Sequence, residues 1–406
     1  MPSQPPVPMP PTCDSRFRPR ARHLIAALAV WLALNVATLA AQPSVQVVRE
    51  ARWPSVRNGI GAIDVKVVGR FAYVAMFRDG LRVIDVSNPT NLVQVRSYNT
   101  GGHAWGVTLS GNFAYVANQD QGLQVFDVSN PPNFVRVGGY GTSGTPYAVA
   151  VAGNYAYVSS GYAGLQIIDV SNPTNCLRVG GYATGGFTYE VELSGDYAYV
   201  ATGTNGLAVF HVSEGTNLVY VGGMASVYST RGVKVRGNHA YVVDAVAGLR
   251  IFDVSNPSNC IEVSSTRITN AVGRAIQISG NQAFVSAGSG GLHVFEVSNP
   301  ANPVRVAGYK AGGYVFTTTI ADGRIYVADG NEGLFVVPTL PNVQFTVRVE
   351  AETNQPFTLE AATDLAGTGN WSPLVTTNVP AMPFDFVDFD VKLAEKLRKF
   401  YRVRQP

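Results

Sequence analysis

Two stretches, GLQVFDVSNPPNFVRVGGY at residues 122–140 and GLQIIDVSNPTNCLRVGGY at 164–182, write nearly the same nineteen residues 42 positions apart. The Gly-Leu pair that opens them stands at Gly80, Gly122, Gly164, Gly206, Gly248, Gly291 and Gly333, a step of 42 with a single 43. A second marker keeps the same count: Ala72-Tyr73, Ala114-Tyr115, Ala156-Tyr157, Ala198-Tyr199, Ala240-Tyr241, Ala283-Phe284 and Ile325-Tyr326. Two independent markers in step define seven repeats, and a fixed period of this length is the mark of a repeat architecture.

Each repeat reads as four short strands. In the third they are Tyr147–Ala152, Tyr155–Ser159, Leu165–Val170 and Cys176–Tyr182. Val, Ile, Tyr and Phe dominate them, as a half-buried pleated surface prefers. Gly-Asn and Gly-Asp pairs between the first two strands are hairpin chemistry. Ser-Asn-Pro between the third and fourth lets proline hold a turn without costing a ladder bond. Four-stranded units of about 40 residues match the blade of a β-propeller. The last unit stops after its third strand, and VQVVREAR at Val45–Arg52 resembles a fourth strand. The N-terminal strand is therefore expected to complete the seventh blade and close the ring, leaving only short edges exposed.

The third strand, Leu81-Arg-Val-Ile-Asp85 followed by Val-Ser-Asn-Pro, resembles the LVIVD repeat family. The resemblance covers about Ser44 to Pro338 and departs at His211, Glu296 and Pro338, where the aspartate is missing. It implies a propeller in a secreted or surface-attached bacterial protein and brings no catalytic residue. The expected fold is all-β: an export signal at 1–41, a seven-bladed propeller at 42–341, and a small β-rich module at 342–406. In that tail FTVRVEA, FTLEAATD, WSPLVTT, FDFVDF and FYRVR read as strands, and LAEKLRK from Leu393 as a helical turn. Its pattern resembles a small β-module that ends many secreted proteins of environmental bacteria.

Arg16, Arg18, Arg20 and Arg22 precede the apolar run Leu24–Leu39, which exits through Ala40 and Ala41. A basic start, a short apolar core and small residues make a secretory signal. An uncleaved anchor is the alternative, although the run is slightly short for a span of about 20 residues. The segment's four arginines and one aspartate account for the chain's whole net charge of +3. The remainder is near neutral and has no basic run to grip a phosphate backbone, so no nucleic-acid partner is expected. A monomer in the periplasm, at the cell surface or outside the cell fits the pattern.

Residues that every blade needs should recur in every blade, whereas a binding site has no reason to obey the repeat. Asp85, Asp127, Asp169 and Asp253 recur, and read as acceptors for backbone N–H groups of the following turn rather than calcium ligands. Cys176 and Cys260 are two repeats apart, roughly 100° around a seven-membered ring and too distant for a disulfide. They read as small core residues. The loops before each Gly-Leu (MFRD, NQDQ, SGYA, TGTN, DAVA, AGSG, DGNE) vary, and with the loops entering the first strand they define a variable face.

At the start of the innermost strand on that face the equivalent residues are Ile63, Trp105, Tyr147, Tyr189, Arg231, Arg274 and Phe316. Trp105, Tyr147, Tyr189, Arg231, Arg274 and Phe316 are of the types enriched at binding hot spots, and are expected to circle the mouth of the central channel. Asp64, Glu190, Asp244, His103 and Tyr314 lie in the same loops. Aromatic plates with carboxylates suit sugar rings; two arginines suit an anionic group. The other reading of the same positions is a plug that fills the channel or wedges blades apart.

No linear motif for a nucleophile, a metal or a nucleotide is present, and no catalytic, metal or cofactor residue is assigned. The sequence therefore points to a secreted, non-enzymatic scaffold that binds a protein or glycan through its variable face. The alternatives are an enzyme acting on polysaccharide, with Glu190 or Asp64 as acid–base group, and a structural cell-surface protein.

Overall fold

The computed structural model describes residues 50–53, 61–213, 215–226, 228–310 and 312–338, and five strands between 345 and 404. The expected export signal and the expected helical turn from Leu393 lie outside the described residues. Among the described residues no helix is long and apolar enough to cross a membrane.

Seven four-stranded antiparallel sheets follow one another along the chain. The first contains Asp64–Val68, Phe71–Ala75, Leu81–Asp85 and Val93–Tyr98, from channel to rim. The seventh holds Val315–Ala321, Arg324–Asp329 and Gly333–Pro338, and its rim strand is Ala51–Trp53 from the N-terminus. Ala51 pairs with Val336 and Trp53 with Leu334. The closing strand thus runs one residue beyond its expected end, and Val45–Arg49 of the expectation lie outside the described residues.

The two sequence markers have physical causes. Ala72 packs toward the seventh blade, in one core cluster with Trp53, Tyr326 and Leu334, while Tyr73 packs toward the second, with Val107 and Val116. The same division of an alanine backward and a large ring forward recurs at the interfaces from blade two to blade six, and at the sixth-to-seventh interface Ile325 takes the alanine's place against Phe284. One such cluster joins blades seven and one, which closes the ring. The Gly of the Gly-Leu marker sits at positive φ, from 77° at Gly80 to 91° at Gly333. A Cβ on Gly80 would run into the Tyr98 carbonyl of its own rim strand, so only glycine fits.

Each of the first six rim strands carries a register shift opposite the third strand, as at Val83/Ile84 and Val125/Phe126. A bulge twists an edge away from further pairing. The turn aspartates do what the repeat implies: Asp85, Asp127, Asp169 and Asp253 accept the N–H of Ser87, Ser129, Ser171 and Ser255 at 2.8–2.9 Å. Cys176 and Cys260 are free, buried thiols in separate clusters.

Beyond the ring, Phe345–Val349 pairs with Phe384–Asp388, and Pro356–Ala362 lies between Ser372–Asn378 and Phe400–Arg404. These five strands coincide with the five read from the tail.

Candidate functional site

The seven equivalent positions at the head of the inner strands line one central cavity of about 590 Å³. Three of them, Trp105, Arg231 and Phe316, are skipped by the ladder: Ala104 and Gly106 are paired, as are Thr230 and Gly232, and Val315 and Thr317. A bulge re-aims the residue it leaves unpaired. Here it sets the mouth residue apart from the valine two positions on, Val107 or Val233, which is buried between blades.

The mouth is a chain of contacting rings. Trp105 meets Tyr147 at 4.7 Å and Phe316 edge-on at 6.4 Å, and Tyr147 meets Tyr189 at 5.8 Å. The Arg231 guanidinium lies 5.7 Å from the Tyr189 ring centre, and that of Arg274 lies 5.3 Å from Phe316 and 4.9 Å from Tyr314. Ile63 and Phe316 are buried and the other five are half-buried. Phe187 and Phe77 extend the rings outward, Phe187 onto Tyr147 and Tyr189, Phe77 onto Trp105 and His103.

The polar groups around the rings are tied down in different degrees. Trp105 Nε1 donates to Gln119 at 3.0 Å, and His103 pairs with Asp120 at 2.8 Å. Arg274 Nε donates to the Tyr314 hydroxyl at 2.6 Å. Arg231 Nε is buried and, among the described residues, has no hydrogen-bond partner. Burial and the charge of Arg274 both depress the pKa of Arg231. Asp244 is fully buried and serves its loop: its oxygens accept the Ser226 hydroxyl and the N–H groups of Val246 and Ala247.

Asp64 and Glu190 occupy the same position in blades one and four and act alike. Asp64 accepts the N–H of Val107 in the next blade at 3.0 Å, with Lys66 and the Thr317 hydroxyl on its other oxygen. Glu190 accepts the N–H of Val233 in the next blade at 3.2 Å, and Lys234 at 2.7 Å. Lys234 also reaches Glu192 at 2.7 Å. Burial raises the pKa of Glu190 and Glu192 adds to the rise, against the pull of Lys234. Burial also opposes the Lys234 charge, but two carboxylates outweigh it and hold its pKa above the ordinary lysine value. The sequence reading missed this layer of Lys66, Glu192 and Lys234. The signal was there: Glu192 and Lys234 sit one repeat apart, opposite in charge at equivalent positions of adjacent blades.

Among the described residues no group of three or more His, Cys, Asp or Glu side chains is placed to hold a metal ion. The model for the LVIVD repeat matches residues 61–100, 101–142, 143–184, 185–225, 229–267 and 273–311, more than half of the chain. The chain belongs to the LVIVD repeat family. The unmatched seventh blade of this LVIVD propeller carries Pro338 in place of the turn aspartate and borrows its rim strand from the N-terminus. A search of curated proteins returned no match. Among solved structures, the β-propeller domain of Cps50 (Swd1) from Myceliophteria thermophila is similar over 71% of this chain and 98% of its own, at 12% identity and a TM-score of 0.58. The WD40 repeats of RRP9 are similar over 72% and 99%, at 8% identity and 0.58. The computationally designed Ika8 protein is similar over 68% and 83%, at 10% identity and 0.52. At these identities the likeness is one of fold.

Proposed function

We propose that this LVIVD propeller is a secreted, non-enzymatic scaffold that binds a protein or glycan partner through its variable face, at the channel mouth. One observation carries the reading: Trp105, Tyr147, Tyr189, Arg231, Arg274 and Phe316 line a single cavity, and all but Phe316 stay half-buried. Hot-spot residues on a rigid ring around one cavity are what a recognition surface needs. The basic and apolar segment at its start directs the chain out of the cytoplasm, and it acts as a monomer without cofactor or nucleic acid. The binding reading is favoured over a hydrolytic one by Asp64 and Glu190, the acid–base candidates, which are each bonded to a backbone N–H of the neighbouring blade. A structural reading, with the rings as a plug, draws on the Trp105–Tyr147 and Trp105–Phe316 contacts.

The test is a glycan-array binding assay on the exported protein and on the Trp105→Ala, Tyr189→Ala double variant. Binding by the wild type that is lost in a variant with unchanged circular dichroism supports a site at the mouth. Binding that survives in the variant moves the site elsewhere, and no glycan binding leaves protein partners to be sought by the same pair of proteins.

A further inference from the structure

The charges of the cavity do not balance, and the surplus is at the mouth. Its lining carries three acids, Asp64, Glu190 and Glu192, and five bases, Lys66, Lys234, Arg231, Arg236 and Arg274. All three acids accept from lysines: Asp64 from Lys66, and Glu190 and Glu192 from Lys234. Arg236, at the far end of its strand, is exposed and reaches Asn281. Arg231 and Arg274 remain. They occupy equivalent positions in adjacent blades, and among the described residues no carboxylate forms an ion pair with either. Asp244, whose field reaches Arg231, spends its oxygens on Ser226 and its own loop.

Two like charges side by side, one with a buried N–H that finds no partner among the described residues, are a costly arrangement in a folded protein. Both costs vanish if an anion enters. A guanidinium fork matches the two oxygens of a carboxylate or sulfate, and a partly desolvated recess strengthens the pairing. The rings of Trp105, Tyr147, Tyr189 and Phe316 line the same cavity as the two forks, with Arg231 over Tyr189 and Arg274 over Phe316. Aromatic faces carry negative π density that C–H-rich sugar faces can meet. The recess, about 590 Å³, falls in the range of small-ligand pockets.

We propose that the channel mouth binds an acidic saccharide, its carboxylate or sulfate held by Arg231 and Arg274 and its ring stacked on the neighbouring aromatic faces. The proposal rests on the mouth being the binding site, and the experiment separates the two claims. The exported protein is titrated calorimetrically with an oligouronate, a sulfated oligosaccharide and a neutral oligosaccharide of equal length, and with a poly-glutamate peptide. At least one acidic saccharide is expected to bind at least tenfold more tightly than the neutral one and the peptide, with affinity falling as salt rises. The arm that binds tells carboxylate from sulfate. Arg231→Gln and Arg274→Gln should each lower that affinity at least tenfold, and Arg274→Lys should recover only part of it.

In the free protein the same glutamine variants should melt no lower than the wild type, because each relieves repulsion. Arginines that served only to hold the fold would instead lower the melting temperature. The proposal is overturned if the neutral saccharide binds as tightly and is lost only in the Trp105→Ala, Tyr189→Ala variant, in which case the mouth remains a site for neutral sugars. It also falls if the peptide binds as well as the acidic saccharides, or if none of the four probes binds. Acidic-saccharide binding unaffected by both the arginine and the aromatic variants removes the mouth altogether.

Discussion

Replacing Lys234 with methionine removes one ammonium from two carboxylates and keeps most of the side-chain volume. Lys234 Nζ lies 2.7 Å from an oxygen of Glu190 and 2.7 Å from one of Glu192, so those oxygens are no farther apart than twice that distance. The three side chains are 17%, 19% and 26% exposed, which puts them nearer to a buried network than to a surface pair. Breaking a buried pair by removing one partner costs about 3–5 kcal/mol, because the charge left behind stays desolvated. In a domain of this size each kcal/mol moves the melting temperature by roughly 2 °C, so thermal unfolding followed by circular dichroism at pH 7.5 should show a loss of roughly 5–10 °C. The deficit should shrink on acidification. The folded-state pKa of Glu190 is already raised above its unfolded value, so folding takes up a proton there and stability grows as pH falls through that window. Without Lys234 the Glu190 carboxyl titrates higher still, and at pH 4.5 the variant should recover at least half of its loss. The Lys234 contribution in the wild type has the opposite edge: it is complete below the ordinary lysine value of 10.5 and fades only as pH rises through its raised folded value. A deficit under about 1 kcal/mol, the size expected of a surface pair, or one equal at pH 7.5 and 4.5, refutes the account.

Trp53→Ala should cost about 3–5 kcal/mol, as a large side chain lost from a core does; hydrogen exchange should show Arg324–Pro338 and Asp64–Val68 deprotected before blades three and four, because Trp53 sits in the cluster that joins the ring's ends. Phe77, at φ 42° where equivalent loops place Gly161, Gly203 and Gly288, should tolerate glycine better than valine by about 1 kcal/mol or more in denaturant unfolding, since a β-branched residue fits that region worst. Acid unfolding should set in as pH falls below the ordinary aspartate range toward about 2, the value to which Arg70, against burial and with help from Ser87, lowers Asp85. That contribution is present above the unfolded pKa and lost on descent, so Asp85→Asn should flatten the stability profile between pH 4 and 2. Burial raises the thiol pKa of Cys176 and Cys260, so a thiol reagent at pH 8 should label both slowly in the native protein and promptly in denaturant.

What could be read from the sequence was whatever each blade must repeat. Gly80, Gly122, Gly164, Gly206 and Gly248 recur because a Cβ there meets a carbonyl, and Ala72-Tyr73 recurs because one side of a blade is small where the other is large. The mouth positions were found by equivalence, since residues in step around a ring must face a common axis. The bulges that set Trp105, Arg231 and Phe316 apart from the ladder could not be found that way, because they depend on how each strand meets the loop before it. Nor could the strain at Phe77, where the repeat offers glycine and the chain carries a phenylalanine. Lys234 was legible only to a search for opposite charges one repeat apart.

Asp64 and Glu190 show why repetition alone does not sort structure from function. Only blades one and four carry a carboxylate at this position: the residues of the other five are Gly106, Ala148, Gly232, Ala275 and Thr317. By the rule that unrepeated residues serve a ligand, both belong to a site. Yet each accepts the N–H of a valine in the next blade, Val107 or Val233, and so fastens a seam. Such a clasp is tolerable only where a cation offsets the buried charge, and the two blades that carry it are the two with a lysine in reach, Lys66 or Lys234. The cost of that cation restricts the clasp to places where a second mutation has supplied it, which is reason enough for a structural feature to be irregular. Irregularity becomes evidence of function only when the charge is left over, and at the mouth of this cavity the charges without an ion pair among the described residues are Arg231 and Arg274.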